Sequence, residues 1–66
     1  MSKVERRVYF DLANGDMKPR RVDGQELTNW EHGPTMTEYI KQCQLEGWQL
    51  TKQLSQHVYV FERDEP

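Results

Sequence analysis

Leu45-Glu46-Gly47-Trp48-Gln49-Leu50 is the stretch that decides the fold. An apolar-periodic run ends at the leucine. A glycine follows that can take the left-handed conformation closing a helix. Trp48 then opens an extended segment with the largest apolar side chain of the run directed to the core. The stretch is a helix stop joined to a strand start.

Upstream, Thr35-Met36-Thr37-Glu38 has the form of a capping box, with the Thr35 hydroxyl accepting an orphan amide hydrogen and Glu38 reaching back to the cap. The helix is expected to run from there to about Glu46. Met36, Tyr39, Ile40 and Cys43 follow the i, i+3, i+4, i+7 spacing of one buried face. Downstream, Trp48, Leu50 and Leu54 alternate onto one face of a strand. A last strand is expected over His57 to Arg63. A two-residue turn at Ser55-Gln56 pairs Leu54 with His57, Lys52 with Tyr59 and Leu50 with Phe61, whereas a three-residue turn sets Leu50 opposite Glu62. Burial of one face favours the first register. It puts Tyr59 and Phe61 inside and leaves Val58 and Val60 on the opposite face.

Towards the N-terminus, Val4, Arg6, Val8, Phe10 and Leu12 alternate with Glu5, Arg7, Tyr9 and Asp11, the pattern of a half-buried strand over 4–12. Asn14-Gly15 is a strong hairpin signal. Met17 to Val22 returns as a second strand, which Pro19 restricts to a sheet edge or an irregular arm. Residues 23–34 hold Asp23-Gly24, Asn29 and Gly33-Pro34 and read as a long loop, with a short helical turn over Gln25 to Trp30 and Trp30 folding back on the core edge. The charged end, 64–66, reads as a tail. The expectation is a single small α+β domain over 1–66 with an ordered core over about 4–63. One amphipathic helix lies on a small, mainly antiparallel sheet in the order β-β-α-β-β, in two layers.

The whole chain is 66 residues, 35% apolar and 30% charged, so its core is small and its stability modest. No run approaches the length of a membrane span, and no apolar block follows Met1 that would serve as a signal peptide. The lone Cys43 cannot form an internal disulfide, and a cytoplasmic location is expected. The net charge of −2 is uneven. Residues 1–22 carry six Lys or Arg against three acids, and residues 23–66 carry three against eight.

The second half resembles a family of small bacterial and phage proteins known as a domain of unknown function. Its hallmark is a helix ending in leucine, an acid-Gly-Trp-acid-Leu run, and a strand ending aromatic-x-Phe-Lys/Arg. The matching residues are Leu45, Glu46, Gly47, Trp48, Gln49 and Leu50, then Tyr59, Val60, Phe61 and Arg63. Gln49 replaces the usual Glu, and Glu62 displaces the basic residue expected directly after the phenylalanine. The resemblance spans about half the chain and implies a fold. It carries over no catalytic residue.

No catalytic, cofactor or metal site is expected. His32, His57 and Cys43 are the only candidate zinc ligands besides carboxylates, and their spacing matches no common pattern. Cys43 lies on the apolar helix face, and no glycine-rich phosphate loop is present. The leading expectation is a non-catalytic protein-interaction or self-association module with a protein partner or a second copy. Val58, Val60, Trp30 and Tyr9 are its candidate surface. The alternative is nucleic-acid binding by the basic hairpin, with Arg7, Lys18, Arg20 and Arg21 on phosphates and Tyr9 stacking. The pI of about 5.6 counts against it.

Overall fold

The computed structural model describes residues 2–65. Five strands form one antiparallel sheet: β1 (Ser2–Ala13), β2 (Asp16–Val22), β3 (Gln25–Glu26), β4 (Gln49–Gln53) and β5 (Val58–Glu65). Their order is β3-β2-β1-β5-β4. A 3₁₀ turn, Trp30–His32, and one helix, α1 (Met36–Leu45), connect β3 to β4. The chain is thus α+β. The expected element order lacked β3, which pairs Gln25 and Glu26 with Val22 and Arg21 where a helical turn was read. Its cause is Asp23-Gly24, both at positive φ (52° and 86°), a second tight turn like Asn14-Gly15 (55° and 85°). No helix among the described residues is long and apolar enough to cross a membrane.

Both ends of α1 form as the sequence requires. Thr35 Oγ1 accepts from the Glu38 amide at 3.3 Å, and Glu38 Oε1 accepts from the Thr35 amide at 2.9 Å. The Thr35 amide, and after it the Thr35 hydroxyl, holds the Glu38 carboxyl below its usual range. At the other end Gly47 sits at φ 92°. The Trp48 amide donates to Cys43 O (2.9 Å) and the Gly47 amide to Gln44 O (3.1 Å), the paired bonds of a Schellman ending. The helix stop therefore delivers Trp48 to the core beside Cys43.

Val8, Phe10, Cys43, Trp48 and Phe61 form the core, with Val4, Met17, Val22, Met36, Tyr39, Ile40 and Tyr59 packed around it. Phe10 meets Tyr59 and Tyr39 edge-on at 5.4 and 6.0 Å, and Tyr39 meets Phe61 at 6.5 Å. Trp48 is only 5% exposed, and two guanidiniums lie over its ring, Arg6 at 4.3 Å and Arg63 at 4.4 Å. Its indole N–H is buried without an acceptor among the described residues.

Four expectations need correction. Leu12, expected on the buried face of the first strand, is 61% exposed. A ten-residue helix, about 15 Å long, cannot cover a twelve-residue strand of about 40 Å. β2 is not an edge strand throughout, since β3 flanks Arg21 and Val22. Pro19 is nonetheless fully buried opposite Phe10, beyond the end of the β3 ladder where its missing amide hydrogen leaves no bond unmade. The charged end is strand, not tail, as far as Glu65, because Glu62 to Glu65 pair with Glu5 to Ser2; Pro66 lies outside the described residues.

The fourth concerns the last hairpin. Leu50 does oppose Phe61, but Lys52 opposes Val60 and Gln53 opposes Tyr59. The hairpin closes by Leu54 N–H to Val58 O at 2.8 Å, leaving Ser55, Gln56 and His57 in the loop. Ser55 Oγ accepts from the amides of His57 (3.2 Å) and Val58 (3.1 Å) and holds that loop. The register shifts at Thr51, a bulge that absorbs the extra residue. Beyond it the strand changes phase, so Lys52 and Leu54 leave the face that Trp48 and Leu50 share.

Candidate functional site

The helix packs on one face of the sheet, the face of Val8, Phe10 and Phe61. Cross-strand partners share a face, so the ladder identifies the residues of the opposite face. One row runs from Leu54, bonded to Val58 at the loop, through Val58, Tyr9 and Arg21 to Glu26. The next runs Lys52, Val60, Arg7. Beyond these, Gln49, Glu62 and Glu5 share a row, and Asp64 opposes Lys3. The 3₁₀ turn reaches this layer only at its β2 margin, where Lys18 Nζ donates to Glu31 O at 2.7 Å.

Val58, Val60 and Tyr9, three of the four candidate interaction residues, thus lie together. Trp30 does not join them. It lies half-buried at the β2 margin with the Arg20 guanidinium 4.9 Å over its ring, and it is not part of the core cluster. Val60 is not an open contact residue, being 2% exposed. It sits on an interior strand between Arg7 and Lys52, whose long aliphatic stems are placed to cover it. Val58 and Tyr9 are half-buried and Leu54 is 53% exposed.

The Tyr9 ring stacks on His57 with centroids 5.7 Å apart and 24° between planes, and Arg21 lies 5.6 Å from the same ring. His57 Nδ1 is 3.0 Å from Phe10 O. A carbonyl oxygen only accepts, so Nδ1 carries the hydrogen and Nε2 is the nitrogen left for other contacts.

The basic residues divide into two groups. Arg20, the extra residue of a bulge in β2, donates to Asp11 Oδ2 at 2.8 Å and to Glu26 Oε1 at 3.1 Å. The Arg20 hydrogen bond, followed by the Leu12 amide, holds the Asp11 carboxyl below its usual range, and Asp11 and Glu26 raise Arg20 in return. Lys18 is held by Glu31. These two candidate phosphate contacts are engaged within the chain. The Arg7 guanidinium and the Lys52 ammonium have no carboxylate within 4.0 Å among the described residues, although Asp23 Oδ1 accepts from the Arg7 backbone amide at 2.9 Å, and Arg21 has only Glu26, at 3.8 Å and shared with Arg20. Lys52 and Leu54 were missed as members of this face because the Thr51 bulge, which moves them there, has no local signal.

Elsewhere, no three His, Cys, Asp or Glu side chains converge among the described residues. Cys43 is 2% exposed with Arg6 Nη1 at 3.8 Å from its sulfur, while His32 is exposed in the 3₁₀ turn. A depression beside Gly47, lined by Lys3, Thr51, Glu62 and Arg63 among others, encloses about 60 Å³, room for a water or two.

No family model, no curated protein and no solved structure matches the chain.

Proposed function

We propose that the chain is a small, non-catalytic protein-interaction module that works through the sheet face opposite the helix. One observation carries the reading: a five-stranded sheet is layered on one side only, and its other side presents Leu54, Val58 and Tyr9 in one row. An apolar row on an unlayered face gains by being covered. The two wider depressions, about 430 Å³ beside Trp48 and about 440 Å³ beside Arg7 and Asp23, are open to solvent and do not enclose a small molecule, which supports binding over catalysis. A cytoplasmic setting and kinship with the small bacterial and phage family belong to the same proposal, the first on the lone cysteine and the second on Gly47, Trp48, Tyr59 and Phe61.

Nucleic-acid binding is supported less well. Lys18 and Arg20 are engaged internally, and Glu5, Glu62 and Asp64 lie on the same face as the free cations.

The test is capture from source-cell lysate, with and without nuclease, by the parent chain and by Leu54→Lys/Val58→Lys. The double variant is expected to keep a cooperative melt and to lose a nuclease-resistant partner. Undiminished capture would refute the reading. So would unfolding, because those residues would then belong to the core. Val60 is left unchanged because it is buried.

A further inference from the structure

We infer that the partner surface recognised by this face is an acidic segment carrying an apolar anchor. The inference rests on the proposed function and names the chemistry of its partner. Arg7, Arg21 and Lys52 surround Val58 and Tyr9 on one face. The ladder sets Arg7 and Lys52 two strands apart, about 10 Å, and Arg21 one strand and two residues from Arg7, about 8 Å. A chain of net charge −2 has carboxylates to spare, and it places them against Arg20, Lys3 and Arg63. The Arg7 guanidinium and the Lys52 ammonium are left with none within 4.0 Å among the described residues, the Asp23 carboxylate being held by the Arg7 backbone amide instead. Cations held beside an apolar row, Arg7 and Lys52 without an ion pair and Arg21 with only a shared one, match carboxylates flanking an apolar side chain.

Two other occupants fit worse. A polyanionic strand running along β1 and β5 would pass from the cations onto Glu5, Glu62 and Asp64, where Lys3 is the one opposing charge at that end of this face among the described residues. A second copy docked through the same patch would bring like charge against like, because a two-fold interface uses one surface twice.

The probe is a short fluorescent peptide of glutamate and leucine, with its leucines at i, i+3 and i+4. The controls are the same peptide with every Glu replaced by Lys, and a labelled oligouridylate. Fluorescence anisotropy with the full chain is expected to show saturable binding of the acidic peptide that weakens as salt rises. Arg7→Gln/Arg21→Gln/Lys52→Gln is expected to weaken binding about tenfold or more, from three partly exposed charge contacts of a few-fold each. If the triple variant melts early, single Arg7→Gln and Lys52→Gln, each expected to weaken binding a few-fold, carry the test. The inference is overturned if the Lys peptide binds as well, if no saturation appears below about 1 mM, or if oligouridylate binds more tightly. Loss of the lysate partner in Leu54→Lys/Val58→Lys but not in the charge variants would remove the acidic-partner chemistry and leave the proposed function standing.

Discussion

Trp48→Ala is the substitution that most directly tests how this small fold is held together. The indole is 5% exposed. An aromatic side chain of this size buries roughly 200 Å², and at about 25 cal/mol per Å² its burial contributes about 5 kcal/mol as an upper figure. Losing the Arg6 and Arg63 contacts removes about 0.5–2 kcal/mol each. Losing an indole N–H that is buried without a partner returns about 1–3 kcal/mol. These sum to roughly 3–8 kcal/mol with the burial at its upper figure, and truncations of this kind usually cost about 3–5 kcal/mol. A single core in a domain below 70 residues rarely supplies more than about 3–5 kcal/mol. The variant is therefore expected to be largely unfolded at 25 °C, read as loss of the cooperative transition in circular dichroism during urea and thermal titration.

Trp48→Phe separates the contributions. It keeps a ring beneath Arg6 and Arg63 and removes the unpartnered donor, so it is expected to cost much less than Trp48→Ala. A cooperative melt of Trp48→Ala within a few degrees of the parent would refute the core assignment, because even 1 kcal/mol moves the midpoint of a domain this size by about 4–8 °C. Equal losses in the alanine and phenylalanine variants would refute the account of the ring contacts.

Three further outcomes are expected. Gly47→Val should cost more than about 1 kcal/mol through backbone strain at φ 92°. The added Cβ would meet Arg63 Cδ at an ordinary 3.5 Å, so a urea midpoint unchanged by the substitution would contradict the left-handed helix stop. Burial pushes the Tyr39 phenol from 10.0 up to about 12, with Cys43 beside it adding to the rise. The neutral phenol is the form the fold favours, so its contribution is intact below pH 10 and is lost as pH climbs from 10 towards 12. One of the three tyrosines should accordingly ionise last when absorbance is followed in alkali. The Cys43 thiol, 2% exposed, should react with a thiol reagent only as fast as the domain opens, and rapid stoichiometric labelling of folded protein would contradict its burial.

The features legible in the sequence were those encoded within a few residues of one another. The capping box at Thr35, the stop at Gly47, the Asn14-Gly15 turn and the buried set Val8, Phe10, Cys43 and Phe61 all follow from local spacing, and each stands where that spacing puts it. Asp23-Gly24 carries the same kind of signal as Asn14-Gly15. It was read as loop because only two ladder residues follow it, too few to show alternation. Arg6 alternates with core residues and reads as a stem covering the sheet edge, and its guanidinium lies over Trp48. The extent of burial was least legible. Leu12 shares a face with Phe10 and is still exposed, because a strand's alternation does not state how far the covering helix reaches.

The last hairpin shows why the proposed binding face is only half readable. A three-residue loop and an uninterrupted ladder would put Leu50 opposite Glu62, and keeping Leu50, itself 41% exposed, opposite Phe61 argues for a loop of two. Both demands are met when one residue of β4 drops out of the ladder, and Thr51 does so, with its hydroxyl 3.4 Å from Val60 O. Any residue flanked by exposed neighbours on an edge strand can play that part, so nothing local marks Thr51. The displacement nevertheless reassigns the end of the strand. Lys52 and Leu54 move from the helix side to the other face, beside Val60 and Val58, adding a cation and a leucine to it. The surface proposed for binding thus depends on a choice between loop lengths that local pattern cannot make, and long-range pairing of Phe61 with Leu50 decides it.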